Sequence, residues 1–340
     1  MRAVALHKYL PVDNPEALID VELPTPEPGP GELRVRVHAI SVNPVDVKVR
    51  APKSQVETTP RVLGWDAAGV VDAVGPGVKL FRPGDEVYYA GSIARPGTNA
   101  EFHVVDERIV GRKPRSLSFA QAAALPLTSI TAWELLFERL EIPQGNAPSQ
   151  DVLLVVGGAG GVGSMALQLA RKLAGVTVVA TASRPESTEW CEAQGAHHVI
   201  NHRQSLVPQL QKRAPQGVRY IASLTATDTH FPELVEVATP FGRLGLIDDP
   251  TKPLDISAMK RKSLSLHWEF MFTRPLYEAT DPLAQHRILN RVADLVDART
   301  LRTTMTQDFG PITAANLRRA HAAIESGRTV GKIVLSGFPS

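Results

Sequence analysis

Cysteine is nearly missing from this 340-residue chain, in which Cys191 stands alone. One thiol excludes an internal disulfide and any cysteine-rich zinc site, and it fits a reducing compartment. An excess of charge of one sign is missing too: Lys plus Arg is 37, Asp plus Glu is 35, and the net is +2. Without a Lys/Arg block, no partner among nucleic acids or membrane surfaces is expected. No apolar run reaches the roughly 18 residues of a membrane span. No long apolar segment follows Met1, so no signal peptide is expected and the expected location is cytoplasmic. Internal repeats and low-complexity tracts are absent as well. What is there has globular composition, 43% hydrophobic and 21% charged, with length for about two domains of ~150 residues.

The chain changes style along its length. Up to about Arg115, β-rich runs at 32–40, 67–74, 85–90 and 100–105 alternate with turn signals such as Pro28-Gly-Pro-Gly31 and Arg82-Pro-Gly-Asp85. That spacing predicts a small barrel or sandwich. From Ser118, helices at 119–127 and 131–139 precede a strand at 151–156, a helix at 163–174 and a strand at 176–180. A helix at 185–194 and a strand at 198–200 follow, and this βαβαβ order predicts an α/β fold with a doubly wound parallel sheet. Further strands are expected at 220–224, 243–247, 263–272 and 331–335, with helices near 231–238, 286–298 and 313–326.

Between the first strand and helix of that unit lies G-x-G-x-x-G, as Gly158, Gly160 and Gly163, with Ala159, Gly161 and Val162 filling the loop. Glycines there permit a tight turn and let backbone N–H groups approach a pyrophosphate at the helix N-terminus. No Gly-Lys-Ser/Thr follows, which rejects a nucleoside-triphosphate loop. An NAD site carries an acid about 20 residues further on, against the ribose hydroxyls. Here that stretch reads Thr181-Ala-Ser183-Arg184, whose hydroxyl and guanidinium suit a 2′-phosphate. Glu186 comes three residues later and is expected to open the next helix after Pro185. The expected cofactor is NADPH.

These motifs, with Ser41-Val-Asn-Pro-Val-Asp46, Leu63-Gly-Trp-Asp-Ala-Ala-Gly69, Ala122-Ala-Ala-Leu-Pro-Leu127 and Gly327-Arg-Thr-Val-Gly-Lys-Ile-Val-Leu335, make the chain resemble the medium-chain dehydrogenase/reductase superfamily over its whole length. The resemblance is strongest to its quinone oxidoreductase-like branch. Segments 90–96 and 266–274 resemble a bacterial subgroup labelled zinc-type alcohol dehydrogenase-like. The resemblance implies a GroES-like catalytic domain from both chain ends, 1–127 and 276–340, around a Rossmann domain at 128–275. It also implies a homodimer, through pairing of the edge strand at 263–272 with its copy. Among cofactor contacts it implies Thr131 on the nicotinamide side, His202 near the adenine phosphate and Lys332, with Arg328 behind it, on the phosphate side.

Zinc enzymes of this kind use a cysteine, a histidine in a Gly-His-Glu segment and a further ligand. This chain has Asn43 in place of the cysteine and Trp65-Asp66 in place of His-Glu, so no metal is expected. Without a Lewis acid the easier reaction is hydride transfer to a conjugated acceptor, which delocalises the incoming charge. The resemblance places Asn43 and Asp46 in the active site, with Asn43 a donor to the substrate carbonyl. Lys48 replaces a tyrosine of relatives and is expected to donate a proton if desolvated. Trp65, Trp268 and Phe270 are expected to border the substrate. The expected function is zinc-independent, NADPH-dependent reduction of a small-molecule quinone or α,β-unsaturated carbonyl. The alternatives are a zinc alcohol dehydrogenase and a non-catalytic, crystallin-like NADPH-binding protein.

Overall fold

The structure is a computed structural model that describes residues 1–145, 147–277 and 279–339. It divides into two compact units, 1–130 with 272–340, and 131–271. The return to the first unit therefore begins at Phe272 rather than at residue 276, for a packing reason given below.

The first unit opens with β1 (Arg2–Tyr9), β2 (Ile19–Glu22), β3 (Glu32–Ser41), α1 (Pro44–Arg50), β4 (Lys53–Val62), β5 (Ala67–Val74), β6 (Glu86–Tyr89), β7 (Phe102–Asp106) and β8 (Val110–Arg112). Two short helices, α2 (Phe119–Ala123) and α3 (Pro126–Trp133), follow. The helix expected over 119–127 is broken because Pro126 cannot continue it and starts a new one. The strands form an antiparallel sheet β2-β1-β4 and a larger sheet built around β3. β3 alternates buried and half-buried side chains, with Leu33, Val35, Val37 and Ala39 turned inward.

The second unit runs β9 (Val152–Val156), α4 (Gly161–Leu173), β10 (Thr177–Thr181), α5 (Pro185–Gln194), β11 (His198–Ile200), α6 (Leu206–Arg213), β12 (Val218–Ser223), α7 (Thr227–Val237), β13 (Ala238–Leu246) and β14 (Ser265–Trp268). Its strands are all parallel in the order β11-β10-β9-β12-β13-β14, a doubly wound sheet whose order reverses beside β9. Every residue of β9 is buried, as a strand covered by helices on both faces requires. The strand expected over 263–272 is shorter than its β-forming composition implies, because pairing with β13 ends at Trp268.

The chain returns to the first unit through α8 (Thr273–Tyr277), α9 (Ala284–Asp297), β15 (Met305–Asp308), α10 (Ala314–Glu325) and β16 (Lys332–Ser336). β16 pairs antiparallel with β3, placing Val334 opposite Ser41, and so carries Lys332 to the end of β3 where α1 begins.

Candidate active site

Four polar side chains from distant parts of the sequence meet inside the first unit: Asn43, Asp46, Asp66 and Lys332, each at most 3% exposed. Asn43 precedes α1, and its backbone N–H donates to Asp46 Oδ2 at 2.7 Å, closing the helix start with an acid three residues on. The Asn43 side-chain nitrogen donates to Asp66 Oδ2 at 2.8 Å and to the Trp65 carbonyl at 3.3 Å. Asp66 Oδ1 accepts the Leu127 N–H at 2.8 Å. Lys332 donates to the Val42 carbonyl at 2.9 Å, to Asp66 Oδ2 at 3.1 Å and to Asn43 Oδ1.

Burial dominates the electrostatics. Asp46 is pushed up to about 7, chiefly because its charged form is desolvated, with the Asn43 N–H and Lys332 opposing. Burial also pushes Asp66 up and Lys332 down, each opposed by the other's charge. The donors converging on Asp66 suit the ionised carboxylate, so the two remain an ion pair.

This geometry changes several expectations. The Asn43 amide hydrogens are taken up by Asp66 and the Trp65 carbonyl, which leaves none directed at a substrate carbonyl. The Lys332 ammonium, expected on the phosphate side, is buried with three acceptors of the first unit. Lys48, expected to act only if desolvated, lies exposed on α1. Trp65 is 1% exposed, donates its indole N–H to the Ser92 carbonyl at 3.2 Å, and meets Phe272 edge-on at 6.3 Å. It is core rather than a wall for substrate, and this packing draws Phe272 into the first unit. Trp268 and Phe270 are 53% and 48% exposed at the β14 edge of the second unit. A cavity of about 250 Å³ in the first unit is lined by Ser92, Arg95, His103, Ile109 and Arg274 among others.

The glycine turn lies in the second unit, after β9, at the carboxyl edge where the strand order reverses. Gly157 has φ +84°, and its N–H donates to Thr181 Oγ1 at 3.0 Å. Thr181 is therefore a buried brace of the turn rather than a ligand contact. A Cβ on Gly158 would lie 2.8 Å from the Ala180 Cβ, and one on Gly163 would lie 2.4 Å from the Gly157 carbonyl oxygen. Gly160 differs: a Cβ there meets nothing nearer than 3.7 Å. The chain's own packing does not demand glycine at 160, whereas a phosphate lying across the turn would. Ala159, Gly161 and Val162 are half-buried around it, and α4 directs its N-terminal N–H groups there.

Past β10, Ser183 and Arg184 are half-buried, and Arg184 pairs with Glu186 at 2.5 Å. Glu186 does open α5, behind Pro185, but it also covers the guanidinium. His202 is held below its usual range by burial first, then by the charges of His230, Arg203 and Arg184. Arg203 and His230 escaped the sequence reading, since only their proximity in space marks them. At the same carboxyl edge Asp248 accepts the Thr227 N–H at 2.9 Å and the Thr227 hydroxyl at 2.5 Å. Thr131, on α3, is buried.

For a metal, the donor chemistry fails. Among the described residues no group of three His, Cys, Asp or Glu side chains is placed to hold an ion. The Asp66 oxygens already receive a backbone N–H, an amide and an ammonium, leaving zinc neither thiolate nor imidazole.

Comparison with known proteins agrees with this architecture. The alcohol dehydrogenase GroES-like domain profile matches residues 29–117 and the zinc-binding dehydrogenase profile matches residues 194–335. A zinc-type alcohol dehydrogenase-like protein of Staphylococcus aureus strain MRSA252 is 41% identical over 302 residues, covering 88% of this chain and 89% of its own. A crystal structure from Rhizobium etli CFN 42, of a protein named for zinc-dependent alcohol dehydrogenase, superposes with TM-score 0.95 at 53% identity, over 100% of this chain and 99% of the other. The Escherichia coli quinone oxidoreductase, solved in complex with NADPH, gives TM-score 0.84 at 26% identity, over 99% of this chain and 100% of the other. The chain belongs to the medium-chain dehydrogenase/reductase superfamily of NAD(P)-binding oxidoreductases. Within it, the chain is a member of the zinc-type alcohol dehydrogenase-like, quinone oxidoreductase-related branch that lacks the metal site.

Proposed function

We propose that this protein is a zinc-independent, NADPH-dependent reductase of quinones or α,β-unsaturated carbonyls. The observation that carries the reading is the glycine turn, open above Gly160, with Arg184 following β10 and Arg203 next to His202 following β11. NADPH, when bound, supplies the hydride. The N–H groups at the start of α4 and the Gly157–Gly163 backbone would hold its pyrophosphate. Ser183 and Arg184, with Arg203, would hold its 2′-phosphate, whose charge suits guanidinium partners. In the first unit the buried quartet keeps its charges paired and offers no Lewis acid. That favours an acceptor whose conjugation spreads the incoming negative charge. Relatives support the class, since one solved structure is a quinone oxidoreductase with NADPH and another an enoyl reductase.

The test uses chelator-treated, zinc-assayed protein with NADPH or NADH and one aromatic quinone or one short enone. Turnover that prefers NADPH and ignores zinc is expected. Turnover restored only by zinc with NAD overturns the reading in favour of an alcohol dehydrogenase. Tight NADPH binding with no turnover favours a non-catalytic binding protein.

A homodimer is part of the same reading. β14 is the edge strand of the six-stranded sheet, beside exposed Trp268 and Phe270, and a second copy of this edge is the partner that would extend the sheet.

A further inference from the structure

The oxygens around the Lys332 ammonium make an unusual set: the Val42 carbonyl, Asn43 Oδ1 and Asp66 Oδ2, all buried and all pointing at one nitrogen. They come from the segment joining β3 to α1 and from the residue before β5. Their occupant arrives on β16, 266 residues along the chain from Asp66. Two of the three acceptors belong to Asn43 and Asp66, the residues that stand where the zinc enzymes of this superfamily carry a metal-ligating cysteine and the acid of Gly-His-Glu. An ammonium has three hydrogens to give, and here each meets an oxygen. The cradle therefore has the charge, the oxygen donors and the burial of a small cation site.

We propose that this is a cation site occupied by the chain's own ammonium, and that Lys332 serves as the resident counter-cation of Asp66. The profile name and the chemistry then diverge for a definite reason: the carboxylate that a bound cation would neutralise is already neutralised from within. Three consequences follow from the geometry. Wild-type protein has no use for a divalent ion at Asp66. Removal of the lysine side chain leaves three acceptors around a space of ammonium size, with an uncompensated buried carboxylate. A small amine cation from solution fits that space, whereas one without N–H donors does not.

The experiment measures melting temperature, so it does not depend on turnover, and failure of the reductase reading would leave its outcome unaffected. Wild type, Lys332→Ala, and Asp66→Asn combined with Lys332→Ala are each melted in sodium, methylammonium and tetramethylammonium chloride at equal ionic strength. Wild type is expected to melt alike in all three salts and to bind no stoichiometric zinc by metal analysis. Lys332→Ala is expected to lose roughly 10 °C and to regain part of it saturably with methylammonium alone. The double variant is expected to melt above Lys332→Ala and to show no methylammonium effect. The proposal is overturned if Lys332→Ala melts like wild type, if methylammonium helps the double variant equally, or if wild type carries zinc that Asp66→Asn loses. Should Lys332→Ala fail to fold, Asp66→Asn combined with Lys332→Met decides: folding of that neutral pair supports the proposal, and its failure to fold overturns it.

Discussion

A carboxyl group held near 7 inside a protein ties stability to pH, and Asp46 is such a group. Its folded-state value lies above the ordinary carboxylate range because burial penalises the charge. Between about pH 4 and 7 the folded chain binds more protons here than the unfolded chain does. The stabilising contribution is thus complete below pH 4 and is lost as pH rises through 7. Asp46→Asn keeps an oxygen for the Asn43 N–H and removes the titration. Urea unfolding is expected to show the variant's advantage growing from pH 5 to pH 8, to the order of a few kcal/mol. A constant difference across that range would count against the assignment. Arg184 offers a second prediction at this scale. Arg184→Ala should raise the KM for NADPH by roughly 10- to 100-fold and leave that for NADH within about twofold. Glu186→Gln, which removes the carboxylate paired with Arg184 Nε, should lower the KM for NADPH by reducing the negative charge beside the expected 2′-phosphate. Steady-state kinetics with both nucleotides checks the pair.

At the scale of elements, the turn between β9 and α4 separates glycines required by folding from Gly160, which the proposed cofactor would require. Gly163→Ala drives a methyl into the Gly157 carbonyl oxygen at 2.4 Å and is expected to cost about 1–3 kcal/mol of stability. Gly160 has φ −72° and ψ 176°, which alanine adopts freely. Gly160→Ala should melt within a degree or two of wild type yet lose most NADPH binding in calorimetry. Equal melting losses in the two variants would remove the basis for placing a phosphate over Gly160. The sequence was legible here because strand, glycine turn and helix are local, and α5 and β11 run over the expected residues, 185–194 and 198–200. Local signals failed where tertiary contacts decided. The segment at 263–272 reads as a ten-residue strand but pairs only over 265–268, since the partner strand sets the length. β4, full of exposed polar residues, has no alternating pattern to betray it and owes its existence to pairing with β1.

For the whole molecule, the predicted assembly rests on one edge. Trp268→Glu places a charge on the exposed end of β14 and should shift the protein from dimer to monomer in light scattering, with the melting temperature of each unit little changed. An unaltered molecular mass would show that β14 is not the contact. Among the described residues no helix is long and apolar enough to cross a membrane.

The sequence by itself determined the class of fold, the glycine turn and its flanking elements, and the replacement of the zinc ligands by Asn43 and Trp65. The first two follow from residues a few positions apart, whose spacing and chemistry act before the chain closes on itself, and the third from the chain's resemblance to the zinc enzymes. Only the tertiary structure decided what the polar residues of the site do. Asn43, Asp66 and Lys332 are far apart in sequence, and pairing of β16 with β3 brings them together. Once desolvated together they must satisfy one another, because an unpaired charge in that interior costs more than any contact with a ligand would return. Trp65 and Lys48 show the same principle in opposite directions. The indole is buried against Ser92 and Phe272, whereas the lysine is exposed on α1. Burial is a property of the folded whole, and no spacing along the chain encodes it.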